Sequence, residues 1–479
     1  MASKENVILI LTDQLRGDCI GIDGNDAILT PNIDSIAGSG IRFPNSYSVT
    51  PSCIAARRTI MSGLLPQTHG MVGYKDDVEW DAVTLPQILK ENGYQTYLVG
   101  RNMHLSPSRK RYGFDHMEQN EEYKEWIEAR VKGVKFNQNS SRLKSDGIYY
   151  STGIQCCDWT ARTWPYEEYL HFTNWTVNEA IRFLERRDPS MPFFLVVSFL
   201  APHPPFIPPE FYMNRYLRND LPEPLIGDWE TPPPEKGMDV ASHDVTLKGE
   251  ALKSMQAGYY GLINHIDDQI RRFIQIADGK VRLKSNNRMM NPDEDENTIV
   301  MFTSDHGEML GDHYLRRKGV PYQGSVRIPF MINAPEKFKI KQGMVCNRLV
   351  GLQDIMPTVL DMLDIKIPEQ VEGKSLVPLL TGDDEEFREY MHIEHAPRFQ
   401  GIVTETDKYI WYVESGKEHY FDLYNDPEEL HDSFNDTDKQ DRIDYLRNIL
   451  IDKLDDRPEG FVHDGKLIPR REYPHVIGR

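Results

Sequence analysis

Four runs of apolar and β-prone residues constrain what this chain can fold into. Val7-Ile8-Leu9-Ile10-Leu11, Gln95 to Val99, Phe193 to Leu200 and Thr298 to Thr303 read as strands. Their near-continuous hydrophobicity suits a sheet covered on both faces. Helical patterns lie between them, from Pro31 to Gly40, Leu85 to Asn92, His171 to Arg187 and about Glu250 to Ala277. Such alternation predicts βα units and a largely parallel sheet flanked by helices. Each run opens into polar residues: Asp13-Gln14, then Gly100-Arg101-Asn102-Met103-His104, then Pro202-His203, then Ser304-Asp305-His306. Sites in open α/β sheets gather beyond the carboxyl ends of the strands, so this recurrence is what one active site leaves in a sequence.

With 479 residues, the chain accommodates one large α/β unit and a smaller one. Tyr409 to Val413 and Tyr420 to Leu423 alternate like antiparallel strands, and Lys439 to Leu454 is helical. These place a boundary near the acidic turn Asp383-Asp384-Glu385-Glu386, giving a catalytic α/β domain over 1–382 and a smaller α+β domain over 383–479. The irregular stretches 118–165 and 208–248 are predicted to be pocket-shaping insertions. A net charge of −19 disfavours nucleic acid or an anionic membrane as partner, and an anionic substrate then needs a local positive pocket. No run reaches membrane-spanning length. Five sparse cysteines, including the adjacent Cys156-Cys157, fit a reducing compartment. Met1 to Asn6 has no signal-peptide core, so a cytoplasmic location is expected.

Pro51-Ser52-Cys53-Ile54-Ala55-Ala56-Arg57-Arg58-Thr59-Ile60-Met61-Ser62-Gly63 reads as a loop turning into a helix that Gly63 stops. Cys53 falls in the first turn, where free N–H groups and the dipole favour anions and thiolates, and Arg57 lies one turn on. The spacing alone favours a small buried cysteine beside a surface arginine. Asp13 and Asp305 each end a buried strand and need a partner there. Oxygen atoms from Asp13, Gln14 and Asp305 suit a hard cation such as Ca2+, while His306 adds a nitrogen acceptable to Mn2+ or Zn2+. Helix capping by either aspartate is the alternative.

Cys53-Ile54-Ala55-Ala56-Arg57 followed by Met61-Ser62-Gly63 resembles the type I sulfatase signature C-x-(P/A)-x-R, in which the cysteine becomes formylglycine. Asp13-Gln14 resembles that family's opening metal pair, and Asp305-His306-Gly307-Glu308-Met309-Leu310-Gly311-Asp312-His313 its second metal segment. Lys318 with Tyr322-Gln323-Gly324-Ser325-Val326-Arg327 resembles the element whose lysine contacts sulfate, and His203 in His-Pro-Pro-Phe the histidine near the leaving oxygen. Tyr420-Phe421-Asp422-Leu423 resembles a structural signature of the same family. The likeness covers nearly the whole chain and implies an alkaline phosphatase-like fold. Gln14 stands where aspartate is commoner, and Arg101 or Asn102 fills the usual lysine position.

The resemblance implies hydrolysis of a small-molecule or glycan sulfate ester, with a formylglycine-generating maturation enzyme as partner. Residue 53 is then the nucleophile, oriented by the metal and Arg57. Lys318, Arg101 and His104 bind sulfate or formylglycine oxygens, and His203 protonates the leaving alcohol. Two rivals remain: a phosphonate monoester or phosphodiester hydrolase of the same superfamily, and a non-catalytic binding protein with unmodified Cys53.

Overall fold

In a computed structural model, residues 5–104, 106–107, 109–132, 159–234, 242–277, 297–382 and 387–477 are described. The boundary near 383, its acidic turn and Cys156-Cys157 lie outside them. The large unit runs β1 (Asn6–Asp13), α1 (Pro31–Ser39), β2 (Ile41–Arg42), α2 (Cys53–Ser62), β3 (Gln95–Gly100), β4 (His116–Glu118) and α3 (Asn120–Glu128). It continues with α4 (Phe172–Arg186), β5 (Phe193–Pro202), α5 (Gly249–Ala277), β6 (Thr298–Ser304), β7 (Phe330–Asn333) and β8 (Met344–Val345).

The strands form one eight-stranded sheet in the order β4-β3-β5-β1-β6-β7-β2-β8. It is parallel from β4 through β6, and β7 runs antiparallel to both β6 and β2. The sheet is therefore mixed at one side, where short strands carry too few residues to announce their direction.

Alternation along β1 sorts the core. Ile8 and Ile10 join the cluster built with α4 and α5, whereas Val7, Leu9 and Leu11 join the opposite cluster with Ile60 of α2. Central position and double coverage bury every residue of β1. Two expectations need correction. The stretch 118–165 contains α3, whose Tyr123 and Ile127 bury one face while the Glu122 carboxylate accepts the Gln119 N–H at 2.8 Å. Within 208–248, Glu210–Leu217 is helical.

The C-terminal unit is a four-stranded antiparallel sheet of β9 (Met391–His395), β10 (Phe399–Val403), β11 (Lys408–Tyr412) and β12 (Glu418–Phe421). Helix α6 (Gln440–Leu454) packs Ile443, Leu446 and Leu450 on one face through Tyr409 and Trp411. Ile393, Phe399 and Ile410 on the other face pack against Met309, Tyr322 and Val326 of the large unit.

A buried ion pair fastens this junction. Lys408 Nζ donates to Glu429 Oε1 at 2.6 Å and to the Pro321 carbonyl at 3.0 Å, and Glu429 Oε2 accepts the Gln323 N–H at 2.7 Å. Burial lowers the proton affinity of Lys408, and the Glu429 carboxylate opposes that loss. Lys408→Met alone is expected to cost about 3–5 kcal/mol in denaturant unfolding by stranding Glu429. The double variant Lys408→Met/Glu429→Met should recover part of that loss, the remainder reflecting the Pro321 carbonyl and Gln323 N–H that lose these partners.

Candidate active site

Four strand ends and one helix start converge at the carboxyl edge of the sheet. Asp13 ends β1, Arg101 follows β3, His203 follows β5 and Asp305 follows β6. Helix α2 points its first residue, Cys53, at the same place. Ser52 is extended, and its carbonyl accepts the Ala56 N–H at 2.9 Å. Its hydroxyl donates to the Gly73 carbonyl rather than capping the helix. Gly63 closes α2 at φ 66°. Gly100 is required where β3 meets β5, because a Cβ there would lie 2.1 Å from the Ser198 carbonyl oxygen.

Arg57 is completely buried, not a surface arginine. Its Nε donates to Asp305 Oδ2 at 2.9 Å and its Nη2 to Asp13 Oδ2 at 3.2 Å. Nη1 donates to Ser198 Oγ at 2.9 Å and to the Asn102 carbonyl at 3.2 Å. The guanidinium thus takes one oxygen from each carboxylate. The other oxygens, both Oδ1, face His306 Nε2 at 3.8 and 3.6 Å. Cys53 Sγ lies 3.1 Å from the same nitrogen and 3.7 Å from Asp13 Oδ1.

Asp13, Cys53, Asp305 and His306 therefore offer four buried donor atoms within 4.8 Å of one another. His306 Nδ1 donates to the Gly307 carbonyl at 3.0 Å, which leaves Nε2 with its lone pair toward the cluster. Two carboxylate oxygens, an imidazole nitrogen and residue 53, all out of water, fit a divalent cation by donor chemistry.

The electrostatics follow from burial among charges. Burial alone would raise the Asp13 carboxyl, yet the Arg57 and Arg101 guanidinium groups hold it well below the usual carboxylate range. Burial, reinforced by Asp13, pushes the Cys53 thiol up to about 12. The thiolate preference expected of a helix N-terminus is thereby reversed, since the dipole is outweighed by desolvation and a neighbouring anion. Burial also holds His104 and His203 well below their ordinary value, aided by Arg101 and Lys318 respectively.

Arg101, rather than Asn102, sends its side chain into the site, with Nε 3.3 Å from Asp13 Oδ2 and Nη2 3.3 Å from His104 Nε2. Asn102 Oδ1 instead accepts the His104 N–H at 3.1 Å. His203 Nδ1 lies 2.6 Å from the Pro204 carbonyl. Lys318 Nζ donates to Gln14 Oε1 at 2.6 Å. Gln14 sits at φ 73°, a left-handed conformation costly for a side chain of its kind. Its N–H is held by Asp305 Oδ1 at 3.1 Å and its carbonyl by the Tyr259 hydroxyl at 2.7 Å. Ser198 and Glu308 belong to this network without having been singled out by the sequence. Ser198 is an ordinary small residue within β5, and Glu308 lies within a motif already explained by its neighbours.

A family model described as Sulfatase matches residues 5–365, and one described as N-sulphoglucosamine sulphohydrolase, C-terminal, matches residues 311–456. The chain is 43% identical to an arylsulfatase of Clostridium perfringens, covering 98% of each protein. It is 30% identical to an ulvan-active sulfatase of Formosa agariphila, over 82% of this chain and 69% of that protein. In three dimensions it resembles the phosphonate monoester hydrolase of Agrobacterium radiobacter, with TM-score 0.74, 25% identity and coverage of 93% and 95%. A structure solved with D-glucosamine-2-N,6-O-disulfate matches its fold with TM-score 0.72 and 22% identity, covering 95% of this chain and 98% of that one. With a family model over residues 5–365 and an arylsulfatase 43% identical along nearly its whole length, the chain belongs to the sulfatase family, the sulfuric ester hydrolases of the alkaline phosphatase-like fold.

Proposed function

We propose that the chain hydrolyses a carbohydrate or aryl sulfate monoester through a formylglycine made from Cys53. Asp13, Gln14, Asp305, His306 and residue 53 would hold a divalent cation, Ca2+ first and Mn2+ or Zn2+ as alternatives. The convergence of four buried donor atoms on the start of α2 carries this reading. The cation would supply positive charge to the nucleophile and to the sulfate oxygens, and formylglycine the attacking hydroxyl.

The chain's own residues do the remaining work. Arg57 holds both aspartates with their Oδ1 atoms turned inward. Lys318, Arg101 and His104 would bind the sulfate or formylglycine oxygens, with the two cations Lys318 and Arg101 supplying local positive charge within an acidic molecule. His203 spends its Nδ1 hydrogen on the Pro204 carbonyl, so its exchangeable proton belongs on Nε2. Burial beside Lys318 disfavours the imidazolium, so His203 would take up the proton it delivers only once the negative charge of a sulfate ester offsets Lys318. His203→Ala is expected to slow esters of poorly acidic alcohols by about 10²–10⁴-fold and to affect activated aryl esters far less. A leaving-group series of kcat/KM values checks this.

Cys53 is 1% exposed and Arg57 is fully buried, so a maturation enzyme would have to reach the motif before the chain folds. The deciding experiment is intact-mass analysis of the Cys53 peptide from the native host. Conversion of thiol to aldehyde lowers its mass by about 18 Da, and an unconverted peptide would favour a binding protein. The Asp-Gln and Asp-His pairing also suits a phosphonate monoester hydrolase. We expect an aryl sulfate to outpace the matched aryl phosphonate with each of Ca2+ and Mn2+, and the reverse order would support that second reading. Chelation should abolish turnover, with restoration by the preferred cation.

A further inference from the structure

Glu308 is a carboxylate with 1% exposure that the proposed chemistry does not use. Its two oxygens are already committed. Oε1 accepts the Leu310 N–H at 3.0 Å and also the Arg317 N–H. Oε2 accepts a hydrogen from Gln14 Nε2. The other end of the Gln14 amide accepts from Lys318 Nζ at 2.6 Å.

Donor and acceptor logic fixes this arrangement without ambiguity. An ammonium only donates, and an ionised carboxylate only accepts. An amide placed between them can satisfy both in one orientation alone, with its NH2 on Glu308 and its oxygen on Lys318. Buried groups paired in this way are costly to mismatch.

We propose that Glu308 is a positioning residue that fixes the polarity of the Gln14 amide, so that oxygen rather than NH2 faces Lys318 and the cation. The proposal rests on the cation reading given above, and it assigns a task to a residue that touches neither substrate nor metal.

Exchanging the two side chains has a sharply defined expected outcome. In Glu308→Gln the new carbonyl must stay on the Leu310 and Arg317 N–H groups, because two donors need an acceptor and an NH2 cannot supply one. Its NH2 then faces Gln14 and forces that amide to turn over. Gln14 would present hydrogen to the Lys318 ammonium and to the cation, donor against donor. Gln14→Glu alone sets two carboxylates face to face, which is also unfavourable. The double variant Gln14→Glu/Glu308→Gln restores every pairing. The amide now at position 308 donates to one oxygen of the carboxylate now at position 14, and the other oxygen faces Lys318. The exchange also keeps the total charge.

The test uses the full-length protein and titrates Ca2+ and Mn2+ by calorimetry, together with the rise in unfolding temperature that each ion produces. Neither readout needs turnover. Glu308→Gln should weaken cation binding by about 10–100-fold, and the double variant should return to within a few-fold of wild type. A purely structural Glu308 predicts a double variant no better than the single one, which would overturn the proposal. Wild-type affinity in Glu308→Gln would overturn it too. If Glu308→Gln does not fold, the double variant decides, because it must both fold and bind. Asp13→Asn separates the two readings. Loss of affinity there, with affinity kept in Glu308→Gln, removes the positioning role alone; retained affinity in Asp13→Asn removes the cation site and the role with it.

Discussion

Replacing Cys53 by alanine is expected to lower sulfate ester turnover by about 10⁴-fold or more, the scale on which removing a covalent nucleophile acts. The fold should be unaffected, because Cys53 begins α2 and alanine is a good helix former at little change in volume. The discriminating partner is Cys53→Ser. A serine hydroxyl can attack sulfur once, but like a thiol it has no second hydroxyl to drive the sulfate off. Serine is therefore expected to give at most one turnover per site, seen as a burst without a steady state, while alanine gives none. In preparations of different maturation, activity per mole should scale with the aldehyde fraction measured by mass. An alanine variant with near-normal turnover would remove residue 53 from the chemistry.

What the sequence made legible, and what it hid, follows from the range of the forces involved. Strand ends at Asp13, Arg101, His203 and Asp305 were readable because a buried strand must be apolar, and the residue that breaks the run marks its exit. The start of α2 was readable from Ala55, Ala56 and Gly63. The state of Arg57 was not, since its partners Asp305 and Ser198 lie 248 and 141 positions away, and helix periodicity carries nothing about them. The choice between Arg101 and Asn102 was equally hidden, because it depends on a backbone turn that puts His104 at φ 52°. Lys408 sits in an alternating strand where a charge reads as solvated, and only Glu429 in a later loop explains its burial. Helix α3 was missed because its charged residues outnumber the two apolar ones that anchor it. The antiparallel β7 was missed because four residues hold no record of direction.

Arg57→Met carries the second large effect, on stability and on activity together. The guanidinium bridges Asp13 Oδ2 and Asp305 Oδ2, and all three side chains are fully buried. Removing it leaves two carboxylates in a low-dielectric site, with Arg101 still beside Asp13. Breaking one member of a buried ion pair costs about 3–5 kcal/mol, and a loss of that size is expected in chelator by denaturant unfolding. Arg57→Lys should recover only part of it, because one ammonium cannot span two oxygens with the planar geometry of a guanidinium. The effect of cation then has a definite sign. Wild type already has its aspartates compensated, whereas the methionine variant does not. Added Ca2+ is therefore expected to raise the unfolding midpoint of Arg57→Met more than that of wild type, even as turnover stays lost because the Oδ1 atoms are no longer held inward. A methionine variant as stable as wild type in chelator would mean that the two carboxylates are neutralised by another route, and the clamp assigned to Arg57 would have to be given up.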